Sequence, residues 1–446
     1  MNKTLYKTIL GGSALLALCA LLFGIFQIEP GTGPFVIGTL VCLALGIRGF
    51  EKTKQFAFTA WILTVVAAAM YYPHLFQEWG GFRLTLLITP LIQIIMFGMG
   101  SQMSLNDFKG VLKMPKAVSI GVIMPFIIMP LTAFAITRIF YSGGDWDPAI
   151  LAGIILVGSV PSGLASNVMV FIAKGNLPLS ITMTSVSTML APIVTPLLML
   201  KLAGTMIEVN AMSMMINTFN MVIFPIIAGF VFNIFYNRAD TRKSIYWQLI
   251  SYVIIIVCVG FLIMSQGTEF SAAMQSTLRS IAIFMILPAV GAMILRYFLK
   301  GDREIIKTIL SSFSTVGIAA IVTVTTAAGR DALLAVGFLL VFTNFLHNVT
   351  GYSLGYLFAK LLKMDERDCR TIAFETGMQN GGMASGLAAG MGKIATVGLA
   401  PAVWGPIMNT TGSILASWWG ANPPKDKSKE EDKNEAKDDV ENVVES

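Results

Sequence analysis

The chain has 446 residues, 55% of them apolar and 13% charged, with a mean hydropathy of +0.73. A soluble domain carries about 25% charged residues, so one large water-soluble core is excluded and the lipid bilayer is the expected partner. The net charge of +6 comes from lysines and arginines in short stretches between apolar runs, not from a continuous patch, and this argues against nucleic acid.

Met1-Asn2-Lys3 leads into an apolar run that is too long for a signal peptide and lacks its small-residue cleavage site. We read that run as a first helix over 5–28. Further spans follow at 34–49, 56–73, 82–103, 116–141, 148–173, 177–203, 211–237, 246–266, 274–299, 305–328, 331–362, 370–391 and 398–419. Fourteen spans place both termini on one side. With that side cytoplasmic, its loops collect Lys52, Lys54, Lys109, Lys113, Arg242, Lys243, Arg303, Lys363 and Arg367. The other side collects only Arg83, Arg138, Lys201, Arg279, Arg330 and Lys393. That asymmetry is the positive-inside pattern and fits a cytoplasmic (inner) membrane. The chain divides into 1–207 and 208–420, each with about seven helices, followed by 421–446. Residues 425–446 hold 5 lysines and 9 acidic residues and are expected to form a disordered, charged cytoplasmic tail. Seven is odd, so the second half enters the membrane with opposite orientation, and we expect an inverted repeat.

Two glycine-rich polar stretches interrupt the sixth span of each half. One runs Gly158-Ser159-Val160-Pro161-Ser162-Gly163-Leu164-Ala165-Ser166-Asn167, the other Glu375-Thr376-Gly377-Met378-Gln379-Asn380-Gly381-Gly382. Broken membrane helices free backbone carbonyls that need partners and build ion sites near the midplane. Glu375 is an ionisable group within such a break, which reads as a cation ligand or proton carrier. The alternative is a structural carboxylate paired with Arg370. Ser180 and Thr184 stand four apart, on one helix face. With Ser166 and Asn167 they form a hard-oxygen set suited to Na+, although single Ser and Thr residues in membrane helices are usually packing groups. His347, beside Asn344 and Asn348, reads as a packing or polar contact. The four cysteines show no metal spacing. Neither a phosphate-cradling loop nor a Ser/His pairing is present, so the chain is read as neither ATP-driven nor an enzyme.

These stretches resemble the bile acid:sodium symporter family over about 82–237 and 305–420. The resemblance rests on Met96-Phe97-Gly98-Met99-Gly100, Met129-Pro130-Leu131-Thr132-Ala133-Phe134, Pro161 to Met169, Lys174-Gly175-Asn176 with Leu179-Ser180, and Glu375-Thr376-Gly377-Met378-Gln379-Asn380. It implies an all-α polytopic membrane protein with two discontinuous crossing helices and with panel and core domains. It implies a first Na+ held by Ser166, Asn167, Ser180, Thr184 and Glu375. A second Na+ would use Glu375, the carbonyls near Thr376 and Met378, and Gln379. Asn380 and Asn409 would face a small organic anion. Pro125 departs from the pattern, because the family usually places a glutamine there, and the second site is expected to be incomplete, filled by water or absent. The chain is also longer than the usual ten-helix core. Extra helix pairs near 34–73 and 246–299 are expected to widen the panels or form a homodimer surface. The function implied is sodium influx coupled to uptake of the anion by alternating access. Proton coupling through Glu375 and a non-transporting membrane receptor are the alternatives.

Overall fold

The computed structural model describes residues 3–26, 31–50, 53–103, 113–141, 144, 146–237 and 302–424, with scattered positions between 288 and 299. The spans expected at 246–266 and 274–299 lie wholly or largely outside the described residues, as does the tail from 425. The other twelve expected spans all fall on helices.

The first group of helices comprises α1 (Lys3–Phe26), α2 (Gly33–Ile47), α3 (Ala57–Tyr71) and α4 (Ile88–Gly100). Between α3 and α4 the chain makes a hairpin of β1 (Glu78–Trp79) and β2 (Phe82–Arg83). Gly80 and Gly81 both have positive φ, at 56° and 87°, as a tight two-residue hairpin turn demands. Apart from this short hairpin, the named elements of the described residues are all helical, as the all-α expectation requires. Then come α5 (Pro115–Phe140), α6 (Pro148–Ser159), α7 (Ala165–Ile172) and α8 (Leu177–Ala203). A π-helical turn, Phe219–Ile223, joins α9 (Ala211–Thr218) to α10 (Phe224–Asn237). The remaining helices are α11 (Arg303–Ala328), α12 (Arg330–Leu361), α13 (Glu366–Gly377), α14 (Gly381–Gly390) and α15 (Leu399–Ala421).

Local chemistry sets several boundaries. Asp147 caps α6 by accepting the Ala149 N–H at 2.8 Å, and Pro148 follows at the first helical position. Asn176 and Asn380 cap α8 and α14 in the same way, through the N–H groups of Leu179 and Met383. At its far end α6 stops where Val160 turns extended ahead of Pro161. The freed Ser159 carbonyl there accepts the Thr195 hydroxyl at 2.7 Å, so a helix end inside the apolar core is not left unpaired.

Packing divides the described helices into two groups. Helices α1 to α4 with α10 and α11 form a panel; α5 to α8 with α12 to α15 form a core. The seam between them is made by α14 against α4 and α9, and by α15 against α3 and α11. Helix α5 illustrates the two environments. Ile123, Ile127 and Leu131, spaced by four, are exposed, while Val122, Phe126 and Met129 are buried in the core. An exposed apolar stripe is stable where lipid replaces water.

Candidate functional site

The two broken helices cross at their breaks. Ser162 faces Gln379 in an antiparallel bridge. The Gly163 N–H donates to the Met378 carbonyl at 2.9 Å, and the Asn380 N–H donates to the Pro161 carbonyl at 2.8 Å. Each break thus satisfies backbone groups of the other, which neither could do alone in hydrocarbon. Glycines permit this approach. A Cβ on Gly351 of α12 would lie 3.0 Å from the Cα of Gly377, and one on Gly377 would lie 2.5 Å from Tyr352 Cε1.

Glu375 lies one turn before its break and is fully buried. Four hydroxyls surround its carboxylate. Oε1 contacts Ser166 at 2.5 Å and Ser180 at 2.6 Å; Oε2 contacts Ser162 at 2.5 Å and Thr184 at 2.9 Å. The same hydroxyls also approach other acceptors. Ser166 lies 2.7 Å from the Gly163 carbonyl, and Ser180 lies 2.6 Å from Asn167 Oδ1. Thr184 lies 3.4 Å from Asn167 Oδ1 and 3.0 Å from the Ser180 carbonyl. Eight donor–acceptor contacts are therefore shared among four hydroxyl protons. The surplus is oxygen lone pairs, and a cation is what such a surplus accommodates. The set holds one carboxylate and otherwise neutral oxygens, a combination that suits a hard monovalent ion better than a soft or divalent one.

The structure brings Ser166, Asn167, Ser180, Thr184 and Glu375 together around this carboxylate. It also adds Ser162, which the sequence reading passed over. Its only signal was a hydroxyl inside the Pro161-Ser162-Gly163 break. The Arg370 alternative is not observed: Arg370 Nε pairs with Glu366 at 3.0 Å, not with Glu375. The remaining Arg370 donors reach the carbonyls of Ala173, Trp419 and Asn422 at 2.9–3.0 Å. Beside it, Asn176 ties to Thr371 and Asp368. This clamp fixes the loop between α7 and α8 onto α13, so the three segments carrying the oxygens share one anchored end.

The second group is less convergent. The Gln379 Nε2 donates to the Thr376 carbonyl at 2.7 Å, and the Met378 carbonyl already accepts from Gly163. Gln379 Oε1 and Thr376 Oγ1 are buried without a hydrogen-bond partner. Pro125, buried in α5, offers no side-chain oxygen. Asn380 is buried and spends its Oδ1 on the Met383 N–H. Asn409 is half-buried in α15, with its amide donating to the Gly405 carbonyl of the same helix. No hydrogen bond joins Asn380 to Asn409. His347 packs as expected, its Nε2 2.9 Å from the Met129 carbonyl and its ring beside Trp404.

Residues 89–273 match the Sodium Bile acid symporter family. An uncharacterized sodium-dependent transporter of Bacillus subtilis, YocS, is 34% identical over 84% of this chain and 95% of its own length. The chain belongs to the sodium bile acid symporter family. The probable sodium/metabolite cotransporter BASS1 of Arabidopsis thaliana is 29% identical over 75% of this chain and 67% of its own. The human ileal sodium/bile acid cotransporter is 26% identical over 67% of each chain. Membership makes this a multi-pass, sodium-coupled secondary transporter of small organic anions, working by alternating access, and not an enzyme.

Proposed function

We propose that the oxygen cage around Glu375 is the coupling site: one Na+ held by Ser166, Asn167, Ser180, Thr184 and Glu375, with Ser162 orienting the carboxylate. The observation that carries this is that four hydroxyl protons face eight acceptor contacts around one buried carboxylate. A second Na+ would use Glu375, Gln379 Oε1 and the carbonyls of Thr376 and Met378. It would bind more weakly, because Pro125 contributes nothing. The organic anion would lie against Asn380 and Asn409, where the bound cation offsets its charge. The inverted repeat of 1–207 and 208–420 would let the core rock against the panel about this point. The positive-inside pattern supports a cytoplasmic membrane with both termini inside, and coupling would drive uptake.

The test is thermal unfolding of the purified protein, titrated with Na+ against K+ and choline at constant ionic strength, and repeated with Glu375→Gln. We expect saturable stabilisation by Na+ alone, lost in the variant. A pH-dependent stabilisation that ignores Na+ and disappears in the variant would replace sodium with proton coupling. Sodium stabilisation that survives Glu375→Gln would remove the ion from this cage.

A further inference from the structure

At the end of the bundle opposite the Arg370 clamp lies a cavity of about 310 Å³. Its walls come from the segment after α8 (Glu208, Asn210), from α9 (Ser213, Asn217) and from the end of α14 with the turn after it (Leu387, Lys393). It therefore sits on the panel–core seam. Its polar groups are neutral amides and a hydroxyl, with Lys393 half-buried and Glu208 exposed at the rim. Among the described residues neither Glu208 nor Lys393 forms an ion pair. Buried Met214 and Leu387 supply an apolar wall. A lysine less exposed than the one carboxylate, amides beside it and an apolar flank are features that suit a small carboxylate or sulfonate with a hydrocarbon body. The volume is at the small end of ligand pockets and suits a small molecule.

Two glycines of α14, one of them lining the cavity, pack closely against neighbouring side chains. A Cβ on Gly390 would lie 2.8 Å from Met221 Cε and 3.4 Å from Asn217 Nδ2, and one on Gly386 would collide with the Ile92 side chain. Met221 belongs to the π-helical turn, Phe219–Ile223. Such turns are often found at functional sites. Gly386 and Gly390 belong to the core; Ile92 belongs to the panel. The contact therefore crosses the surface that must part if the crossing point is to open at this end.

We propose that this cavity is an entry subsite for small organic anions, with Lys393 as its charge partner and the adjoining Gly386/Gly390 contact with Ile92, Asn217 and Met221 as its gate. The proposal rests on the transport reading but not on the identity of the coupling ion. Its first test uses cysteine-free protein carrying Ser213→Cys in proteoliposomes. Two membrane-impermeant methanethiosulfonates serve as probes, one an ethylsulfonate anion and one a trimethylammonium cation. After each rate is normalised to that of a small free thiol, the anion should react several-fold faster, and Lys393→Gln should abolish that excess. Equal normalised rates, or an excess that survives Lys393→Gln, would overturn the anion subsite. The second test is the Asn217→Cys/Gly390→Cys pair. Its disulfide should form under mild oxidation and stop sodium-driven anion transport until reductant is added, with sodium stabilisation of the protein retained. A pair that forms no disulfide, or that transports normally when bridged, would overturn the gate. Loss of sodium stabilisation in the uncross-linked parent would instead count against the cage at Glu375.

Discussion

Ser162 shows how much one side chain can matter at a buried carboxylate. With Thr184 it is one of two hydroxyls on Glu375 Oε2, at 2.5 Å, and it stands directly opposite Gln379 at the crossing. Its hydroxyl donates to the oxygen opposite the one held by Ser166 and Ser180. Ser162→Ala leaves that oxygen with Thr184 alone. A hydrogen-bonding group of this kind contributes roughly 1 kcal/mol, so half-saturation for sodium should rise by about fivefold in a thermal-shift titration. The unliganded protein should unfold within a few degrees of the parent. An unchanged half-saturation would mean that Ser162 merely caps the break. The sequence marked the break but gave no reason to prefer this serine over Ser159 or Ser166. A lone hydroxyl in a membrane helix is ordinarily a packing group, and its partner lies 213 positions away.

At the scale of elements, the crossing depends on how closely α12 and α13 approach. Gly377 ends α13, and Tyr352 of α12 occupies the space where its Cβ would lie. Tyr352 is itself held by the Met408 carbonyl at 3.2 Å, while Asn348 donates to the Gly377 carbonyl at 2.7 Å. The ring cannot retreat without giving up its hydrogen bond to Met408. Replacing a helical glycine by alanine normally stabilises by about 0.5–1 kcal/mol through the unfolded chain. Here the collision should reverse the sign. Gly377→Ala should destabilise by about 1–3 kcal/mol, the usual range for overpacking, seen as a lower unfolding midpoint in sodium-free buffer. Glu375 is two positions away, so its sodium half-saturation should rise as well. A stabilised variant would show that α12 yields and that the crossing is less rigid than its contacts imply. Helix breaks of this kind are legible in sequence because glycine and proline punctuate the apolar run. The ring that a glycine accommodates is not, because the contact joins separate helices.

The whole molecule is a panel and a core meeting at one seam, and the sequence disclosed its parts unevenly. Apolar runs located every described span, and the glycine-rich breaks located the crossing. The β1–β2 hairpin went unseen because two residues per strand carry no alternation to read. The seam cavity went unseen because segments near 208–217 and 387–393 meet only in three dimensions. The crossing also fixes what coupling must look like. Glu375 ends in a backbone segment whose next members bind Pro161 and cap α14 through Asn380, and Ser162 joins Pro161 back to Glu375. On the proposed assignment, an ion that orders the cage would also order Asn380, and an anion resting on Asn380 would order the cage. Linkage makes the two effects equal. Saturating sodium should tighten binding of a transported carboxylate by some factor, typically about 5- to 150-fold, and the saturating carboxylate should tighten sodium by the same factor. Calorimetric titrations in both orders measure the two numbers. In Asn380→Ala both should shrink together while sodium alone still binds. Anion affinity indifferent to sodium in the parent protein would mean that the two ligands occupy independent sites and that the crossing does not couple them.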